Sequence, residues 1–365
     1  MQSNPLKMVN ALDQWSILAG ARFILASIVA INHLGDFVPL GYLGFIPLFG
    51  AFEAILGFLL ISGYSISASY TKQPDGFLMR RIMRLYPIYL AAIAISYLVF
   101  VFLKDPLPQP LMLIANALFL NQLVTKTSFV GPAWSLSLEF WLYCLTPFLM
   151  LRSKPFIRWV IFGSFTSYVI YTVLRTLSHV PYYSGVGFGA NLVLLSFIWV
   201  AGLRLARSKG GDKTALRDIG LIMVGYMAVD VVIQFGHRFK HHAVAEFFQH
   251  DSIGFAARSA TLFFVFLIFK YLVIPPRLSV RRSWFLRFLG DVSYPLYLLH
   301  GAIYAIIAHL GLKIPALFYI IAVLVSALVY WSLDFYSKKR HQQLDPDKPT
   351  QPIPDIKTKL APELL

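Results

Sequence analysis

Apolar residues fall in long runs divided by short polar stretches. Ten of these runs are long or apolar enough to cross about 30 Å of hydrocarbon, a distance that takes about 20 helical residues. They lie near residues 15–34, 44–66, 82–103, 137–152, 156–174, 190–206, 216–234, 253–273, 289–309 and 315–335. The pattern predicts an all-α fold, a polytopic membrane helix bundle with about ten transmembrane helices. The fourth run is the weakest as a full span. Residues 111–123 are apolar but too short to cross alone, which suits a re-entrant or interfacial piece. Residues 1–14 read as a polar N-terminus and 15–336 as one membrane domain. The stretch 337–365, rich in proline, lysine, aspartate and glutamine, reads as a disordered tail. Arg22 interrupts the first run and no clear small-residue cleavage site follows, so that run is expected to be an uncleaved span and not a signal peptide.

Composition agrees with this class. The chain is 58% apolar and 13% charged, far too apolar for a soluble domain of 365 residues. The net charge of +15 is dispersed between apolar runs, which argues against nucleic acid as a partner. With the N-terminus inside, lysine and arginine number 20 in the inner segments against 7 in the outer ones. That bias predicts cytoplasmic N- and C-termini and a multi-pass protein. A single cysteine, Cys144, excludes an internal disulfide and a multi-cysteine metal site.

Within the first run, Arg22 and His33 are eleven positions apart, about three helical turns and about 16 Å along the axis, so both leave one face. A cation inside a membrane helix costs about 2.5–3.5 kcal/mol and marks a functional site by default. Its bland alternative is a structural pair buried between helices. A neutral imidazole can take the proton of an attacking hydroxyl, which makes His33 a candidate base. Glu139, expected at the outer end of the fourth run, is the candidate to orient it, and Glu53 is placed to pair with Arg22. Arg80, Arg81 and Arg84 crowd the inner mouth before the third run, with Arg281 and Arg282 on the same side. Forked guanidinium groups suit phosphate, as in an anionic donor such as coenzyme A. The competing reading is the ordinary positive-inside signal or anionic lipid headgroups.

Ser62 and Gly63 sit in an ISGYS turn expected to close the second span, where they line a tunnel or pack helices. Trp134, Ser135, Tyr294 and His300 are candidates for the wall of an acyl path; for His300 an interior hydrogen-bonded histidine is the competing reading. The run HRFKHH, with His237, His241 and His242, matches no trusted metal-ligand spacing, and no metal is expected.

Five stretches occur together and in order: Arg22–x10–His33, the ISG of Ile61 to Gly63, RRIMRLYPIY, WSLSLEFWLY and LGDVSYPLYLLH. In this the chain resembles the acyltransferase 3 family of integral membrane O-acyltransferases. The resemblance implies ten spans in a bacterial inner membrane, a cytoplasmic acyl-CoA donor (most often acetyl-CoA), and an acceptor hydroxyl on the outer side, commonly of a cell-surface or secreted polysaccharide. It carries function onto Arg22, His33, Arg80, Arg81, Arg84 and Glu139, and implies glycan-synthesis or export proteins as partners. Two positions depart from the family pattern: Phe58-Leu59 where two phenylalanines are usual, and Phe140 where a second acidic residue is common. Some members carry an appended hydrolase-like domain, which this chain is expected to lack. A transporter or flippase of a glycan or lipid-linked intermediate is the alternative class.

Overall fold

The computed structural model describes residues 5–178, 180–208, 213–271 and 278–344. Its helices are α1 (Pro5–Leu34), α2 (Ala51–Lys72), α3 (Phe77–Leu103), α4 (Pro110–Ala117), α5 (Ala133–Met150), α6 (Lys154–Leu177), α7 (Ala190–Leu194), α8 (Ser196–Arg207), α9 (Lys213–Lys240), α10 (Val244–Glu246), α11 (Ser252–Tyr271), α12 (Val280–His309) and α13 (Pro315–Leu344). Each of the ten expected runs overlaps a helix among the described residues. Seven helices, namely α1, α2, α3, α6, α9, α11 and α13, are long and apolar enough by themselves to cross a membrane. The chain is a polytopic helical membrane bundle.

The remaining three runs lie on α5, α7–α8 and α12, and they include the most deeply buried helix, α8. The sixth is broken at Leu195 into α7 and α8, and α8 is buried over nearly its whole length. In α12 the buried stretch from Val292 to His300 carries Ser293, Tyr297 and His300. Helices shielded from lipid by their neighbours need no continuous apolar surface, so these are the places where polar residues can be held inside the bundle.

Several boundaries differ from those the pattern predicts. The stretch 41–49 forms two short 3-10 turns, and α2 begins only at Ala51. It then runs to Lys72, so Ser62 and Gly63 lie mid-helix and not in a closing turn. Helix α13 continues to Leu344, past the tail boundary expected at 337; the rest of the expected tail, 345–365, lies outside the described residues, as do residues 1–4. The apolar piece at 111–123 is the short α4 followed by a compact loop in which Phe119 and Gln122 take positive φ. Side chains hold this loop: Ser137 Oγ bonds to the carbonyls of Phe119 and Asn121 at 2.7 and 2.8 Å, and Trp141 Nε1 donates to Phe119 at 2.9 Å.

The main packing pairs are α1 with α12 and α2 with α8. Small residues permit both. Gly290 of α12 faces Ala19 of α1. Gly63 of α2 faces the carbonyl of Trp199, and Gly202 of α8 faces the carbonyl of Leu60; a Cβ at either would collide with the opposing backbone. Backbones brought this close gain the dispersion contacts that drive helix association in lipid.

Candidate functional site

A cavity of about 430 Å³ opens between α1, α2, α3, α5 and α12. That volume falls within the range of small-molecule pockets. At one end it is lined by Trp15, Lys72 and Arg84, all exposed, and by Arg81. Deeper in, Arg22, Ser65, Ser62, Glu139 and Tyr143 form the wall. The far end is lined by Phe58, Ser135 and Tyr297.

Four cations, Arg22, Lys72, Arg81 and Arg84, thus share the cavity with two carboxylates, Glu139 and Asp291. Asp291 accepts from Tyr330 Oη at 2.7 Å. No ion pair engages any of the four cations among the described residues. Arg22 Nη2 donates to Ser65 Oγ at 2.7 Å, and Arg81 donates to Ser69 Oγ. Uncharged partners leave the positive charge uncancelled, and two cations remain in excess over the carboxylates. In a low-dielectric wall that excess attracts anions, and forked guanidinium groups fit phosphate oxygens.

Glu139 is placed differently from expectation. It accepts from Ser62 Oγ and, one turn along its own helix, from Tyr143 Oη. Trp199 Nε1 completes the group by donating to Ser62 Oγ at 3.2 Å. Ser62 precedes Ser65, the partner of Arg22, by one turn, about 4.5 Å of helix rise. Glu139 therefore stands near the level of Arg22 and well short of His33, and it makes no bond to His33. Glu53 does not pair with Arg22 either. It lies in the first turn of α2, accepts from Tyr226 Oη at 2.7 Å and faces Arg258 Nε at 3.7 Å. Height along a helix was the basis for both expectations, and the heights themselves differ: Glu139 sits at the level of Ser62, and Glu53, twelve residues before Ser65 on α2, lies about 18 Å along the axis from the partner of Arg22.

His33 and His300 meet. His33 Nδ1 lies 2.9 Å from His300 Nε2, and the two ring planes differ by 6°. His300 is 1% exposed and its Nδ1 lies 3.0 Å from the carbonyl of Leu296. Tyr297, one turn before His300 on α12, closes the far end of the cavity: its Oη is 2.7 Å from Ser135 Oγ, and its ring packs edge-on against Phe58 at 5.6 Å. The histidine pair stands just beyond this contact.

The other sequence candidates divide. Ser62, Ser135 and Tyr294 line the cavity, with Tyr294 Oη donating to the carbonyl of Leu85 at 3.1 Å. Gly63 belongs to the α2–α8 contact, and neither it, buried Trp134 nor His300 lines the cavity. Arg80 bonds back to the carbonyls of Asp75 and Gln73, capping its own turn. Arg281 and Arg282 are exposed at the start of α12, away from the cavity. Sequence reasoning missed Ser65, Lys72, Tyr143 and Tyr330. Of these Tyr143 had a local signal, the i, i+4 spacing from Glu139 on a helix.

Residues 15–334 match the family model described as an acyltransferase domain, Acyl_transf_3. The chain belongs to the acyltransferase 3 family. The match covers most of the chain, including every residue that lines the cavity, and it makes the protein a membrane acyltransferase; the transport reading is set aside on that ground. No curated protein and no solved structure matches the chain.

Proposed function

We propose that this acyltransferase takes its acyl group, most simply acetyl, from acyl-CoA on the cytoplasmic side and delivers it to a hydroxyl of a cell-surface or secreted polysaccharide on the opposite side of a bacterial inner membrane. The observation that carries the reading is the cavity with three cations at one end and Arg22 deeper in, none in an ion pair among the described residues, and the His33–His300 pair just beyond the other end. In this reading Lys72, Arg81 and Arg84 hold the donor's phosphates at the exposed mouth, and Arg22 holds the deepest anionic or carbonyl oxygen. The pantetheine arm lies along Ser62, Glu139 and Tyr143. The thioester then passes the Tyr297–Ser135 contact to reach His33.

The chemistry balances without a further reactant. The acceptor oxygen attacks the thioester carbonyl, its proton goes to His33, the carbon–sulfur bond breaks, and the thiolate of coenzyme A takes the proton from His33. A two-step variant, with the acyl group first on His33, uses the same groups. The arginine-rich end is assigned to the cytoplasm from the distribution of lysine and arginine between segments.

The test is base-labile acetyl on purified surface and secreted polysaccharide from cells lacking the protein. These cells are complemented with wild type, His33→Ala or Arg22→Ala at matched membrane abundance. Restoration by wild type alone is expected. Equal restoration by all three removes His33 and Arg22 from the mechanism. No acetyl on any glycan with wild type overturns the proposed acceptor class.

A further inference from the structure

We infer that His300 is a positioning residue for His33. It fixes His33 in the tautomer that carries hydrogen on Nδ1 and leaves Nε2 bare to take a proton. The inference deepens the proposed function and rests on it only for the identity of the group that gives the proton.

The argument starts at Leu296. A carbonyl oxygen can only accept, so the 3.0 Å contact requires the hydrogen of His300 to be on Nδ1. A neutral imidazole carries one hydrogen, and a second would place a cation on a ring that is 1% exposed. His300 Nε2 is therefore a bare lone pair. His33 Nδ1, 2.9 Å away, must then donate to it. The neutral ring of His33 keeps its other nitrogen, Nε2, free of hydrogen. Each tautomer follows from the one before, and the chain ends at the only nitrogen of the four with no protein partner among the described residues.

The ring geometry supports an in-plane bond and not a face-to-face stack. The rings are within 6° of parallel, yet their centroids are 5.2 Å apart. Two imidazoles joined end to end by one such N–H···N bond have centroids about 5 Å apart, given ordinary hydrogen-bond lengths. The direction of the lone pair on His300 thus sets the rotation of the His33 ring. Tyr304 packs 5.7 Å from His300 on its own helix and helps to hold it. No carboxylate bonds to either ring among the described residues, so the neutral His300 fills the place that a carboxylate fills beside many catalytic histidines.

The two histidines are separated by 267 residues, and each helix supplies one. When His33 takes a proton on Nε2, its Nδ1–H bond to His300 strengthens, because a charged donor makes the stronger hydrogen bond. No proton leaves the pair during this step. His300 keeps its hydrogen on Nδ1, donated to the Leu296 carbonyl, throughout.

Two measurements test the assignment on the full-length protein in lipid bilayers. The first is solid-state nitrogen-15 NMR of histidine-labelled protein, with the His33 signals identified by their loss in His33→Gln. The expected result is a protonated Nδ1 and a bare Nε2 on His33; the opposite tautomer overturns the inference. This readout needs no turnover. If wild type shows the expected tautomer but releases no coenzyme A from acetyl-CoA, the pairing stands and the acyl-CoA reading falls.

The second is the rate of coenzyme A release from acetyl-CoA. His300→Phe fills the space without an acceptor and is expected to lower kcat by about 100-fold, within the span of general-base catalysis, with KM for acetyl-CoA within about twofold. His300→Gln can return an acceptor oxygen close to the lost nitrogen and is expected to recover most of the rate. In a His33→Gln background, His300→Phe is expected to add nothing. Equal loss in Phe and Gln variants, a KM change of the same size as the kcat change, or additive losses would reduce His300 to packing and overturn the inference.

Discussion

Arg22 Nη2 donates to Ser65 Oγ at 2.7 Å, one turn of α2 away from the Ser62 that Glu139 accepts from. A cation thus meets a hydroxyl where a carboxylate is within a turn. An uncompensated guanidinium in a membrane helix is costly, and its retention suits a ligand that brings its own negative charge.

Arg22→Gln is therefore expected to raise KM for acetyl-CoA by at least about tenfold, since hydrogen bonds to charged groups contribute about 1.5–3 kcal/mol. Arg22→Lys keeps the charge but loses the fork and should fall between. Ser65→Ala should change KM only about two- to threefold. Steady-state kinetics of coenzyme A release measures all three, and an unchanged KM in Arg22→Gln would remove this residue from donor binding.

Glu139 is the carboxylate nearest this group, and its charge opposes an anionic donor. Replacing it by the isosteric glutamine keeps an acceptor for Ser62 and Tyr143. The expected outcome is tighter binding of coenzyme A, by about two- to fivefold at low ionic strength, with the difference fading as salt rises. Isothermal titration in detergent reads it. Weaker binding instead would mean that the carboxylate accepts a hydrogen bond from the donor itself.

Gly63→Val should abolish the α2–α8 fit, because its side chain meets the Trp199 carbonyl and not a flexible group. Overpacking of well-packed interiors costs about 1–3 kcal/mol, and rigid backbone on both sides puts this site at or above the upper end. Thermal unfolding followed with a thiol-reactive dye suits the protein, since Cys144 is its single thiol. Gly163→Val, at a helical position where a Cβ meets nothing, is the control and should leave the midpoint within a few degrees.

Asp218 of α9 sits between Arg204 of α8, with which it is buried, and Arg158 of α6, whose side chain is 43% exposed. Asp218→Asn should destabilise by about 3–5 kcal/mol, as is typical when a buried pair loses one partner. Arg158→Gln should cost under about 1 kcal/mol, as exposed pairs do. Unfolding in mixed micelles of increasing SDS fraction distinguishes them; equal losses would show that the exposed arm is as important as the buried one.

Much of this was legible in the chain. Apolar run lengths give the helices, because a membrane span must satisfy its own backbone hydrogen bonds and has few other choices. The spacing of Arg22 and His33 puts both on one face because helix geometry is fixed. What the sequence withheld is how the helices are set against one another, in height as well as laterally. Glu139 was expected level with His33 and Glu53 level with Arg22, yet one meets Ser62 and Tyr143 near the level of Arg22 and the other meets Tyr226 and Arg258 about three turns of α2 away from it. Which way a helix turns its faces depends on neighbours distant in the chain. His300 was visible as a candidate for the wall of an acyl path or as an interior hydrogen-bonded histidine; its bond to His33 is a product of how α1 and α12 lie together.

The glycine contact between α2 and α8 has a bearing on the cavity it does not touch. Gly63 and the carbonyl of Leu60 lie on roughly the opposite side of α2 from Ser62 and Ser65. With backbone pressed on backbone there, α2 has a single azimuth: a twist of a few tens of degrees drives side chains into α8. Two residues without function of their own thereby act as a keyway that sets the angle at which Arg22 and Glu139 find their hydroxyl partners. Tolerance to substitution should accordingly be lowest at positions that carry no chemistry at all.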